Sequence, residues 1–189
     1  MGLADSSDIF TARLIEHLKN NLTPGQAMEA ILPYLGQQLR CDRVFLYLRH
    51  PDSGLGRVPF CWRRSDEIPV VYDPQWKPEP EDLGSEDPMF AAALALQPSL
   101  FIDDVETADP QTLNREFEAE NFGHRALVHA HLGLDRQLWG VLQPCTFGRP
   151  HPWTAADRQL IHRAVAWFTP LTIDYVLQHH PQYDRQSAA

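Results

Sequence analysis

RVFLYLRH, residues 43–50, and RVPFCWRR, residues 57–64, are the two stretches on which the fold turns. Both are dense in β-branched and aromatic residues, and the turn formers Pro51, Asp52, Ser53 and Gly54 stand between them. They predict an antiparallel hairpin with a loop of moderate length. A second hairpin is expected from Arg125 to Leu132 and from Gln137 to Pro144, around Gly133-Leu134-Asp135-Arg136. Strands that come as hairpins pair antiparallel, so a parallel, doubly wound sheet is not expected.

Helical patterns flank and separate these strands. Phe10, Leu14 and Leu18 recur every four positions behind the cap formers Ser6, Ser7 and Asp8. Thr23-Pro24-Gly25-Gln26 reads as a capping box with proline at the first helical position, opening a helix whose inner face is Met28, Ile31, Leu32, Leu35 and Leu39. Met89 to Gln97 reads as a short helix, Ser99 to Val105 as a strand, and Gln111 to Asn121 as a polar helix with Leu113 and Phe117 inside. Thr154 to Asp157 is a second capping box, and the last helix presents Leu160, Ile161, Ala164, Val165, Phe168 and Leu171 on one side. Pro170 lies inside that pattern and is expected to kink or split the helix. Four prolines and six acidic residues between Asp73 and Pro88 mark a surface loop, too rich in proline for a helix or a central strand. The order of elements is that of an α+β fold, one central antiparallel sheet with helices on both faces and amphipathic helices at the termini.

Composition narrows the function classes. The chain has 189 residues, a net charge of −9 and 43% apolar residues, enough for one packed domain. An acidic chain whose only lysines are Lys19 and Lys77 is not expected to bind nucleic acid, which needs clustered cations. No window approaches the roughly 18 apolar residues of a membrane span, and the N-terminus lacks a secretory pattern, so a cytoplasmic location is expected. Cys41, Cys61 and Cys145 are too few and too scattered for a disulfide framework or a four-ligand zinc site. No Gly-rich phosphate loop, no G-x-S-x-G and no recognisable pair of catalytic carboxylates is present, so no enzyme is expected.

Several residues are singled out by chemistry alone. His129 and His131 fall two apart on a predicted strand and share one face, so they could bind a metal or a ligand, or hydrogen-bond within a polar sheet face. With no third ligand at suitable spacing, the second reading is preferred and no metal is expected. Cys145 follows Pro144 at a strand end and is expected to be partly exposed near a pocket mouth, while Cys41 and Cys61 read as core residues. Arg57, Arg63, Arg64, Arg115 and Arg125 could grip carboxylates or phosphates, or simply lie on the solvent face.

Cys41-Asp42-Arg43-Val44 running into FLYL, LWGVLQP (residues 138–144) and Pro152-Trp153 before the last helix resemble the GAF domain, and in particular the bilin-binding GAF domains of cyanobacterial, phytochrome-related photoreceptors. The resemblance covers about Leu22 to Val176. It implies a GAF-like domain over residues 22–178, behind an N-terminal helix over residues 1–21 and before a polar, disordered tail over residues 179–189. Asp87-Pro88-Met89-Phe90 stands where the family has D-x-C-F, and Asn114-Arg115 where it has Cys-His, counting back from Phe122. A bilin attaches through a thiolate, which neither Met89 nor Asn114 can supply, so no covalent cofactor is expected at the usual positions. The resemblance makes Asp87 a pyrrole contact and places Met89, Phe90, Asn114, Arg115, Phe122, His129, His131 and Cys145 around the pocket, Cys145 where relatives usually carry a histidine.

The reading is thus a non-enzymatic sensory or adaptor module of a cyanobacterial-type signalling or photosynthesis-related pathway, binding a small molecule or a protein partner. The alternatives are a photoreceptor holding a tetrapyrrole non-covalently or through Cys145, and a tetrapyrrole-handling enzyme. The resemblance also implies that the terminal helices pair with a second copy or a partner, as a chain without an attached output segment is expected to signal by contact. Burial of those helices on the protein's own sheet is the equal alternative.

Overall fold

The computed structural model describes Ile15, Leu18, Asn20 and residues 21–180. Most of the expected N-terminal helix and the tail from residue 181 therefore lie outside the described residues. Helix α1 (Pro24–Gln38) opens as expected: the Thr23 hydroxyl accepts from the Gln26 backbone N–H, and the Gln26 side chain accepts from the Thr23 N–H. Strands β1 (Arg43–His50) and β2 (Leu55–Arg63) form the first hairpin. The edge strand β3 (Asp73–Pro78), helices α2 (Leu83–Glu86) and α3 (Pro88–Leu94), the short strand β4 (Leu100–Ile102) and helix α4 (Arg115–Asn121) follow. The second hairpin, β5 (Ala126–Leu134) and β6 (Gln137–Thr146), turns on Asp135 and Arg136, both at positive φ. Helix α5 (Ala155–His179) closes the fold behind its own capping box of Thr154 and Asp157.

All six strands of the sheet pair antiparallel, in the order β3-β2-β1-β6-β5-β4. Alternation of side chains along each strand then sorts the two faces. Val44, Leu46 and Leu48 of β1, Val128, Ala130 and Leu132 of β5 and Leu142 of β6 meet α1 and α5 in the main core. Each fully buried Leu or Ile there contributes about 1.5–3 kcal/mol. The apolar stripe of α5 is used on the protein's own sheet, and Ile15 and Leu18 pack into the same core. The other face carries α2, α3 and α4, so helices lie on both sides of the sheet, as an α+β fold requires.

Two expectations are corrected. The proline-rich stretch is not a loop throughout, because Asp73–Pro78 pairs with β2. An edge strand has one side without a partner, so the N–H groups that Pro74 and Pro78 lack cost nothing there. Trp76 anchors the strand, donating its indole N–H to the His179 carbonyl at 2.8 Å. Helix α5 runs unbroken through Pro170. Pro170 and Ala166, whose carbonyl the proline leaves without its helical donor, both face solvent, where water satisfies the freed group.

Candidate functional site

The sheet face turned away from α1 and α5 receives Phe45 and Tyr47 from β1, Val141 and Gln143 from β6 and His129 from β5. Cross-strand register sets Phe45 opposite Gln143 and Tyr47 opposite Val141. Val58 and Val71 close one side. Leu83 of α2, Met89 and Phe90 of α3, Phe117 of α4 and the following Phe122 form the roof. Together these residues bound a cavity of about 140 Å³. A dry apolar cavity of about 150 Å³ accepts one benzene ring, whereas pockets for drug-sized ligands span roughly 300–1,000 Å³.

The few polar groups of this wall are held in defined states. Asp87 caps α3, its carboxylate accepting from the Met89 N–H at 2.9 Å. Burial pushes its carboxyl up to about 6, against the pull of the Met89 and Phe90 N–H groups and with a further push from Glu118. His131 Nδ1 lies 2.7 Å from the Gln97 carbonyl, which can only accept, so that nitrogen carries the proton. Burial lowers the pKa of both histidines and brings His129 to about 3, so both rings are neutral. His131 Nε2 is therefore an acceptor, and His129 Nδ1, 3.0 Å away, donates to it. His129 Nε2 is left as a bare lone pair on a ring that lines the cavity. The Tyr47 hydroxyl donates to Glu79 Oε1 at 2.5 Å, so its proton is also committed.

Behind the aromatic roof lies a cluster that the sequence did not reveal. Glu118, 1% exposed, holds its Oε1 2.6 Å from His124 Nδ1, and His124 Nε2 meets Nη2 of the buried Arg43. Arg43 also donates to the Pro69 carbonyl at 2.6 Å and lies against Phe147. Phe122 stacks on His124 with ring centroids 5.3 Å apart, and Phe45 stacks on Phe122. This charged cluster joins α4 to β1 directly behind the cavity. Arg43 lies 75 and 81 residues from the other two members along the chain, and Glu118 sits on a helix whose pattern is polar. The only local signal is an acidic residue one position after the inward Phe117.

The GAF domain family profile matches residues 23–168. This chain belongs to the GAF family. Its fold is similar to that of the GAF domain from Acinetobacter phosphoenolpyruvate-protein phosphotransferase, with a TM-score of 0.69 at 8% identity over 95% of this chain and 99% of that one. It is also similar to the phycocyanobilin-bound GAF domain from a cyanobacterial phytochrome, with a TM-score of 0.69 at 19% identity over 96% of this chain and 100% of that one. The phycoerythrobilin-bound GAF domain from a cyanobacterial phytochrome gives 0.67 at 17% over 96% and 100%. No curated protein matches the sequence significantly. These identities carry the fold and no more.

In this GAF domain five of the nine expected pocket residues line the cavity: Asp87, Met89, Phe90, Phe122 and His129. Asn114 instead caps α4, accepting from Glu116 and Phe117, and donates to the Glu86 carbonyl at 2.9 Å. Arg115 is exposed and donates to the Ala108 carbonyl. His131 stands behind His129 and borders a more open cleft with His162 and Arg136. Cys145 is fully buried among Met89, Ile102, Leu113 and Leu127, outside the cavity wall, and burial pushes its thiol up to about 12. The partly exposed position expected for it is not found, because β6 continues past Pro144 and pairs Cys145 with both Arg43 and Leu127. Cys41 is a core residue, whereas Cys61 is only half-buried. The other four arginines singled out by sequence also have partners or ring contacts: Arg57 lies over Trp76, Arg63 pairs with Asp66, Arg64 with Asp42, and Arg125 with Asp104 and Glu106. Among the described residues no helix is long and apolar enough to cross a membrane.

Proposed function

We propose that this GAF domain is a non-enzymatic sensory module whose signal is occupancy of the cavity beneath α2, α3 and α4. The supporting observation is the cavity itself: about 140 Å³, walled by aromatic and aliphatic side chains, with Asp87, His129, Gln143 and the Tyr47 hydroxyl as its polar groups. Occupancy is read through the roof, since Phe90 belongs to α3 and Phe117 to α4. Any movement of α4 pulls on the Glu118–His124–Arg43 cluster that ties it to β1. The roof and this cluster would thus carry the signal to a protein partner or a second copy. A place in a cyanobacterial-type signalling or photosynthesis-related pathway belongs to the same proposal and rests on the family resemblance.

A bilin held without a covalent bond is the second reading, favoured by the pigments in the names of two structural relatives and by the buried Asp87. The residues present do not fit it as they stand. The cavity would have to open roughly twofold to reach even the smallest pockets of the usual size range, and among the described residues neither a cysteine nor a cation lines it.

Met89 offers a direct test, because the chain has three methionines and Met28 lies in the core on the opposite face of the sheet. With ¹³C-methyl methionine, toluene is expected to shift the Met89 signal saturably while leaving Met28 in place. Val141→Phe, which fills the cavity, should suppress the shift. An unmoved Met89 signal up to the solubility limit of toluene would sink the small-ligand reading.

A further inference from the structure

The side-chain polar groups of the cavity share one character. Asp87 presents a carboxylate, His129 Nε2 is a lone pair fixed by the Gln97–His131 relay, and the Tyr47 hydroxyl donates its one proton in a hydrogen bond to Glu79, which leaves its oxygen lone pairs toward the cavity. Among the described lining residues only the Gln143 amide carries uncommitted N–H groups, and its carbonyl is one more acceptor. Among the described residues no Lys or Arg lines the cavity to answer the charge of Asp87. Helix capping does not explain that charge, since Asn, Ser or Thr would cap α3 equally well without bringing an ionisable group into an apolar wall. The remaining lining includes the rings of Phe45, Tyr47, Phe90, Phe117 and Phe122, whose faces attract cations.

We propose that the cavity selects a small organic cation, a primary or secondary ammonium on an apolar body of about one ring. Asp87 and His129 take the ammonium protons and the phenylalanine faces take the body. An ammonium has donors and no acceptor, which complements a wall that offers acceptors and almost no donors. A neutral alcohol of the same size would leave the Asp87 charge unanswered, and a carboxylate would repel it. The inference rests on the reading of this cavity as a ligand site, and it names the chemistry of the ligand.

Benzylamine, benzyl alcohol, toluene and benzoate, titrated into the full chain and followed at the Met89 methyl, separate the two claims. Benzylamine is expected to bind at least tenfold more tightly than benzyl alcohol, with benzoate the weakest. Asp87→Asn keeps the capping oxygen and removes the charge, so it should weaken the amine selectively and bring benzylamine within about threefold of benzyl alcohol. His129→Leu should weaken the amine by a larger factor than it changes toluene binding. Equal binding of amine and alcohol, tighter binding of benzoate, or an amine preference that survives Asp87→Asn would each overturn the cation proposal while leaving a small-ligand site standing. Failure of all four probes to move Met89 would overturn both.

Discussion

Glu118→Gln tests the buried cluster behind the cavity. The substitution keeps the shape of the side chain and removes the carboxylate that balances Arg43 across His124. Both Glu118 and Arg43 are 1% exposed, so solvent cannot take over the charge that remains. Breaking one side of such a buried pair costs about 3–5 kcal/mol. In a domain of this size each kcal/mol moves the melting temperature by about 2–4 °C, so Glu118→Gln should lower it by roughly 6–20 °C. Arg43→Met leaves Glu118 uncompensated and should cost a similar amount. The double variant removes both charges and should lose less than the sum of the singles, with a coupling of about 2–3 kcal/mol, the upper end for residues in one network. Urea unfolding followed by tryptophan fluorescence gives all three values, and an unchanged m-value confirms that stability is what moved. Single costs below about 1 kcal/mol, or additivity within about 0.5 kcal/mol, would show that the cluster is not an energetic unit.

Acid should destabilise the fold through its buried histidines. His129 falls to about 3 in the fold from about 6.5 unfolded, so between those values the unfolded chain binds the proton and stability drops as pH falls, by about 2 kcal/mol at pH 5. His124 and His131 are lowered too and act in the same direction. Asp87 acts oppositely: its raised pKa lets the fold take a proton first below about 6, returning about 1 kcal/mol at pH 5. His129→Gln should flatten the loss between pH 7.5 and 5, and a profile parallel to that of the parent would contradict this assignment. Thiol labelling under native conditions should modify Cys61 first, with Cys41 and Cys145 reacting only on unfolding, since burial raises both of their pKa values. Mass spectrometry reads the sites, and early modification of Cys145 would refute its placement in the core.

Much of the fold was legible because its signals are local. The two capping boxes, Thr23 to Gln26 and Thr154 to Asp157, formed as read, since a cap depends on residues three apart. The first hairpin followed from stretches rich in β-branched and aromatic residues around turn formers, the second from two strand segments around Gly133 to Arg136, and the antiparallel sheet followed from the hairpins. Asp73–Pro78 escaped because proline content argues against a strand in general, while only the finished sheet shows whether a strand is at the edge. Pro170 misled for a related reason: whether a proline breaks a helix depends on where its freed carbonyl points.

For the cavity, the sequence established which residue types were available, and period-2 alternation placed His129 and His131 on one face of a strand. The resemblance brought Asp87, Met89, Phe90 and Phe122 to the same region. The tertiary structure alone decided that Phe45, Tyr47 and Gln143 complete the wall, because cross-strand register is a property of paired strands and not of either strand alone. It also decided the chemical state of each group. Burial lifts Asp87 and Cys145 and lowers His129, and the Gln97 carbonyl, 34 residues from His131, sets which imidazole nitrogens carry protons. Desolvation and hydrogen-bond direction come from groups distant along the chain, so residue identity and spacing determined where these groups could lie, and only packing determined whether they donate, accept or carry charge.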